Sequence, residues 1–131
     1  MPLTPFHIAA GLLPKAIAPR HFDLPMFAAV QVAIDLEPAV RILTRTYPLH
    51  GPLHSWPGAL GVGLLAALAG RAFGRGWLPA LVAGIVGGAS HVLLDAYSAG
   101  YFWESHWLTL ALALAGGMML VSNRRKRGGG R

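Results

Sequence analysis

In the stretch SHVLLDA, His91 and Asp95 stand four residues apart, about one turn along the same face of a helix. Together they can ligate a divalent metal or hand a proton between them; the plainer alternative is a hydrogen-bonded pair that fixes how helices pack. In HGPLHS, His50 and His54 repeat the spacing, but Gly51 and Pro52 break any regular helix between them. Pro52 at a first helical position would let His54 and Ser55 sit in a first turn, with His50 reaching in from the preceding loop. Imidazoles suit zinc, manganese, iron or nickel, and carboxylates widen the choice to harder ions. In IDLEP, Asp35 and Glu37 are two residues apart, so a regular helix cannot present both on one face. Pro38 disfavours helical geometry at Glu37, so the helix is expected to distort there and turn both acids toward one cavity. The alternative for Glu37 is a solvated helix end, paired with Arg41 at i+4. His7 is the lone candidate on the first segment. His21 and His106 sit beside aromatic or charged neighbours and are set aside.

Summed, His7, Asp35, Glu37, His50, His54, His91 and Asp95 supply four imidazoles and three carboxylates. That set fills one divalent-metal site with hydrogen-bonding partners behind it, or two metals bridged by a carboxylate. Two ions about 3.5–4 Å apart are the usual clamp for phosphoester hydrolysis. One ion with an open position lowers the pKa of its water to about 7 and needs a carboxylate as base, for which Asp35 and Glu37 are the candidates. Ser55 could hydrogen-bond from behind the ligands; nothing in its spacing marks it as a nucleophile.

Positioning these groups falls to apolar helices. Hydrophobic residues make up 54 % of the 131 and charged residues 12 %, about half the share usual in soluble domains. This composition describes an all-α integral membrane bundle. There is no cysteine, which excludes disulfides and thiolate metal sites. Five apolar segments stand out: 5–18, 24–43, 58–73, 77–97 and 107–122. A full span needs about 20 apolar residues, which the second and fourth have outright, while the third and fifth are shorter. The first, with Thr4 as N-cap and Pro14 inside, is expected to be a half-inserted or packed element and not a cleaved signal peptide. Four spanning helices are therefore expected, or five if the first also crosses. Residues 1–123 form the membrane domain, and 124–131, RRKRGGGR, a basic glycine-rich tail facing water or anionic headgroups.

With the C-terminal tail in the cytoplasm and five crossings, Lys15, Arg20, Arg71, Arg75, Arg124, Arg125, Lys126, Arg127 and Arg131 share one side. Only Arg41 and Arg45 fall on the other, as the positive-inside rule favours. The net charge of +6 is thereby accounted for by topology and not by nucleic-acid binding. The same path gathers His7, Asp35, Glu37, His50, His54, His91 and Asp95 near one face, as an intramembrane His/Asp cluster at one depth.

Taken in order, PFHIAAGLL, IDLEP, HGPLHS and SHVLLDAYSAG resemble the LexA-regulated, inner-membrane, metal-dependent hydrolase-like family (YdjM-type), over about Pro2 to Gly100. The resemblance implies a small multi-pass protein of the inner membrane. By analogy with zinc-dependent phospholipase C and related nucleases, it implies a hydrolase, with zinc first among the ions. His7, Asp35, His50, His54, His91 and Asp95 then match proposed metal positions and Glu37 the second acidic one. The sequence departs from the family's H-R-G-x-T-H-S form. It is one residue shorter between the histidines, with Gly51 in place of Arg and Leu53 in place of Thr; an Arg there would be a natural phosphate contact.

The expected function is hydrolysis of a lipid or amphiphilic (phospho)ester by one or two metal ions. The alternative class is a non-catalytic subunit or scaffold of a larger membrane complex, its cluster kept as a structural metal site. Metal or proton transport is a third, disfavoured because the ligands collect at one depth and are not spaced across the bilayer.

Overall fold

The computed structural model describes residues 4–100 and 102–128, and among these every regular element is helical. The first apolar segment is broken at Gly11 into α1 (Thr4–Ala10) and α2 (Leu12–Ile17). Gly11 lies against Phe27 and Leu24, and a Cβ there would collide with the Phe27 ring, so the break lets the chain approach the next helix closely. That helix, α3 (Leu24–Leu43), is capped by Asp23, which accepts the Met26 amide at 3.1 Å, with Pro25 in the first turn. A 3-10 turn, Pro52–His54, leads into α4 (Trp56–Ala72), whose N-cap is Ser55. Two long helices, α5 (Trp77–Gly100) and α6 (Phe102–Gly128), complete the chain.

The sequence and the structure part at several points. Pro38 lies buried inside α3, and the helix continues through it to Leu43. The fifth segment, expected to be short, is the longest helix, and it carries Arg124 to Arg127 in helical conformation as far as Gly128. The basic stretch is thus continuous with the helical domain; residues 129–131 lie outside the described residues. Among the described residues, two helices, Trp77–Ala99 and His106–Lys126, are long and apolar enough to cross a membrane. The second segment has the length, but α3 also carries Asp35, Glu37 and Arg41.

Successive elements alternate in direction. Phe6 meets His106 with ring centroids 4.8 Å apart, and Asn123 Nδ2 donates to the Ala16 carbonyl at 3.2 Å, so α1–α2 and α6 run side by side in the same sense. Arg75 Nη1 donates to both Asp23 oxygens at 2.7 and 2.8 Å, tying the α4–α5 turn to the start of α3. Lys15, Asp23 and Arg75 therefore share one end of the bundle, and the His/Asp residues share the other.

Packing is closest between α4 and α5. Gly63 and Gly84 face each other so tightly that a Cβ on either would enter the other's carbonyl, and Gly88 is pressed on the Ala59 carbonyl in the same way. The buried centre holds two apolar clusters: Phe22, Met26, Phe27, Ala67, Ala80 and Ala83 form one, and Val30, Ile34 and Ala59 another. Large apolar side chains point outward instead, among them Leu36, Leu65, Leu114 and Met118. Small residues thus line the closest helix contacts, and leucines lie on the outside.

Candidate metal centre

Four elements converge at the end of the bundle opposite Asp23. α1 contributes His7, α3 contributes Asp35, the 3-10 turn contributes His54, and α5 contributes His91 and Asp95, with His50 on the loop before the turn. The histidines at 7 and 91 are fully buried, and their rings lie 4.3 Å apart. The polar atoms form a mutual array. His91 Nε2 is 3.4 Å from His54 Nε2, 3.4 Å from Asp35 Oδ1 and 3.5 Å from Asp95 Oδ2. His54 Nε2 is 3.9 Å from Asp35 Oδ1 and 3.6 Å from Asp95 Oδ2. His7 spans the far oxygens of both acids, Nε2 to Asp95 Oδ1 at 3.5 Å and Nδ1 to Asp35 Oδ2 at 4.0 Å. His50 Nε2 is 3.9 Å from Asp95 Oδ2.

These separations are too long for hydrogen bonds, which fall at about 2.7–3.2 Å for N–H···O. They are close to the distance between two donors of one tetrahedral ion, about 3.3 Å for metal–ligand bonds of about 2.0–2.1 Å. Five buried polar atoms, both nitrogens of His7, His54 Nδ1 and both oxygens of Asp95, have no hydrogen-bond partner among the described residues. Buried polar atoms seldom stay unpaired, and a shared cation would satisfy this set. Grouped by proximity, His7, Asp35 and His91 make an inner trio, and His50, His54 and Asp95 an outer one. The donors are imidazole nitrogens and carboxylate oxygens, a mixture suited to zinc and its divalent neighbours.

Access is from the outer trio. His50 is half exposed, whereas the His54 side chain is 4 % exposed. An open cavity of about 240 Å³ adjoins them, lined by His50, His54, Val92, Asp95, Ala96 and Ala99. Burial pushes the His54 imidazole down, but the acidic groups of Asp35, Asp95 and Glu37 around it outweigh that and hold the group above its ordinary value.

Glu37 sits behind the array. Its Oε2 accepts the Leu53 amide at 2.9 Å and lies 3.5 Å from His54 Nδ1, while Oε1 accepts from Arg41 Nη2 at 3.2 Å. The i+4 pair with Arg41 and the approach to His54 therefore coexist. Arg41 also donates to the Pro48 carbonyl at 3.0 Å, pinning the loop. Gly51 passes directly beneath this pair; a Cβ there would run into Glu37 Oε1 and Arg41 Nη2. Ser55 takes no part in the array. Its hydroxyl donates to the Pro52 carbonyl at 2.6 Å and accepts from Gly58 at 3.2 Å, so it is occupied as a helix cap.

One buried polar residue carries no signal in the sequence. Gln31 on α3 is fully buried and reaches His91 Nδ1 at 2.7 Å. A neutral amide in an apolar helix has neither charge nor ligand spacing to single it out. Comparison of the chain with family models, curated proteins and solved structures returns no match.

Proposed function

We propose that the chain is a multi-pass membrane protein, with four to five spanning helices, that holds one or two divalent metal ions and hydrolyses a lipid or amphiphilic (phospho)ester. The observation that carries this is the array of imidazole and carboxylate donors 3.4–4.0 Å apart, with five buried atoms left unpaired and an open cavity on one side. The membrane setting is supported by the two long apolar helices and by the outward-facing leucines. The basic end with Lys15, Arg75 and Arg124 would face the cytoplasm of a cell with this protein in its inner membrane. The resemblance of the four ordered motifs to the YdjM-type family implies the same activity, with zinc as the ion.

His54, His91, Asp35 and Asp95 would hold the ion, with His7 or His50 available for a second. When bound, a divalent ion in such a site polarises an ester oxygen and acidifies water. The chain's own residues do the rest. Glu37, whose oxygens accept from Leu53 and Arg41, lies against His54 Nδ1 and would orient that ring. Asp35 keeps a second oxygen, 4.0 Å from His7 Nδ1, that can take up a proton. His50, half exposed on the cavity wall, can take a proton from water and donate it to a leaving group. Val92, Ala96 and Ala99 give the cavity an apolar side suited to an acyl or other hydrophobic portion.

A second reading, a structural subunit with a metal of packing function, is favoured by the exposed apolar face of α6 around Leu108, Leu114 and Met118. One comparison separates the two. Purified protein loaded with zinc is analysed for metal and then offered phospholipid and carboxylester substrates, beside the double variant His54→Ala, Asp95→Ala. Stoichiometric zinc and turnover in the wild type, both lost in the variant, are expected. Zinc without turnover assigns the structural role, and a wild type that retains no divalent ion under any loading condition overturns the metal reading altogether.

A further inference from the structure

Beside the array lies a chain of buried hydrogen bonds that determines the proton arrangement of one imidazole. Gln31 Nε2 is 3.1 Å from the Gly87 carbonyl and 3.3 Å from Ser90 Oγ. The Ser90 hydroxyl donates its proton to the same Gly87 carbonyl at 3.1 Å. A carbonyl can only accept, and a hydroxyl whose proton is spent has only lone pairs left to offer. Both therefore demand a donor from Gln31, which turns its NH₂ group toward α5. The opposite orientation would set the amide oxygen against the Gly87 carbonyl oxygen in a fully buried place. With the amide so fixed, Gln31 Oε1 faces His91 Nδ1 at 2.7 Å and can only accept. His91 Nδ1 must carry a proton.

The consequence falls on the other ring nitrogen. In the neutral imidazole one nitrogen is a donor and the other a lone pair. With the proton on Nδ1, the lone pair is on Nε2, the atom 3.4 Å from His54 Nε2 and from Asp35 Oδ1. We infer that Gln31 is a positioning residue, which locks His91 as the Nδ1–H tautomer and so presents the Nε2 lone pair to the donor array. Ser90 and the Gly87 carbonyl extend that lock one step further, onto the backbone of α5. The device serves α3 and α5 together, because Gln31 and Asp35 are one turn apart on α3 while Gly87, His91 and Asp95 step along α5. Partners of this kind, placed behind a ligating imidazole, change metal affinity about 10–100-fold when removed.

The lock is tested first without metal, since the effect on affinity rests on the metal-centre reading and the tautomer does not. Metal-free protein with ¹⁵N-labelled histidine is studied by NMR in detergent at alkaline pH, with the His91 signals assigned by their loss in His91→Asn. A proton on Nδ1 in the wild type is expected; a bare Nδ1 overturns the inference and needs no variant. Gln31→Met then removes the acceptor at similar volume. The Met variant should give mixed tautomers and zinc affinity 10–100-fold lower. A Met variant with unchanged tautomer and unchanged affinity overturns the role of Gln31. A wild type that binds no zinc defeats the metal reading alone and leaves the tautomer to be judged from the spectrum.

Discussion

At His54, burial and charge oppose each other. The ring is enclosed, which disfavours its charged form, yet Nε2 faces Asp35 and Asp95 and Nδ1 faces Glu37. The carboxylates prevail, and the imidazole holds its proton to higher pH than an ordinary histidine. A metal needs the neutral ring, so binding there releases a proton. Below the raised pKa the proton competes with the metal; above it competition ends. Zinc affinity should therefore rise with pH through the titration of His54 and flatten beyond it, as measured by titration with a competing chelator. A flat or falling profile would contradict this assignment. Gly51 carries a second expectation at this scale. The side chains it lies under are the pair that orients His54, so Gly51→Ala should displace Glu37 and lower zinc affinity about 10-fold, while far-UV helicity stays intact. The histidines and acids were legible in the sequence because charged groups are costly among apolar neighbours and repeat at helical spacing. Gln31 was not, since a neutral amide obeys neither rule. The fit of Gly51 beneath Arg41 was also hidden, because it depends on where a loop folds back over α3.

Among the elements, α3 shows where local rules fall short. The Asp35–Glu37 spacing argued for a distorted helix, because two residues two apart cannot share a face. The helix continues through this stretch, and different neighbours meet the two acids: Asp35 meets α1 and α5, while Glu37 is met by the turn carrying Leu53 and His54. Pro38 costs α3 one backbone hydrogen bond without ending it. α6 was underestimated for a related reason. The basic run 124–131 read as a tail, yet the helix carries it as far as Gly128, and Gly116 is where α6 touches the backbone of Leu12 and Leu13. The α4–α5 contact provides a direct test of element packing. A Cβ at Gly63 would enter the Gly84 backbone, which no side-chain rotation can relieve. Gly63→Ala should destabilise the bundle by about 1–3 kcal/mol in detergent unfolding, and Gly61→Ala, which meets nothing within 4 Å, should be near neutral. Equal effects of the two would refute the close approach.

For the whole molecule, the separation of charges is the organising feature. Lys15, Asp23 and Arg75 lie at one end of the bundle and the donor array at the other, with apolar helix between. The alternation of segments and the gathering of polar residues at one level were readable from apolar run lengths and the basic residues flanking them. The pairing of α1–α2 with α6 was not, because it joins the first and last parts of the chain through a glycine contact. The absence of cysteine makes topology easy to measure. Single cysteines at Thr46 and at Gly74 should react with an impermeant thiol reagent from opposite faces of sealed membranes, Thr46 from the non-cytoplasmic one. Labelling of both from one face would rule out the five-crossing path.

X-ray absorption at the zinc edge of the loaded wild-type protein bears most directly on the proposed centre. One or two zinc ions per chain are expected, each surrounded by mixed nitrogen and oxygen donors at about 2.0–2.2 Å. The outer-lying scattering of imidazole rings should be present in the wild type and reduced in the His54→Ala, Asp95→Ala variant. A zinc environment of oxygen alone, without imidazole scattering, would contradict a His/Asp metal centre at this end of the bundle.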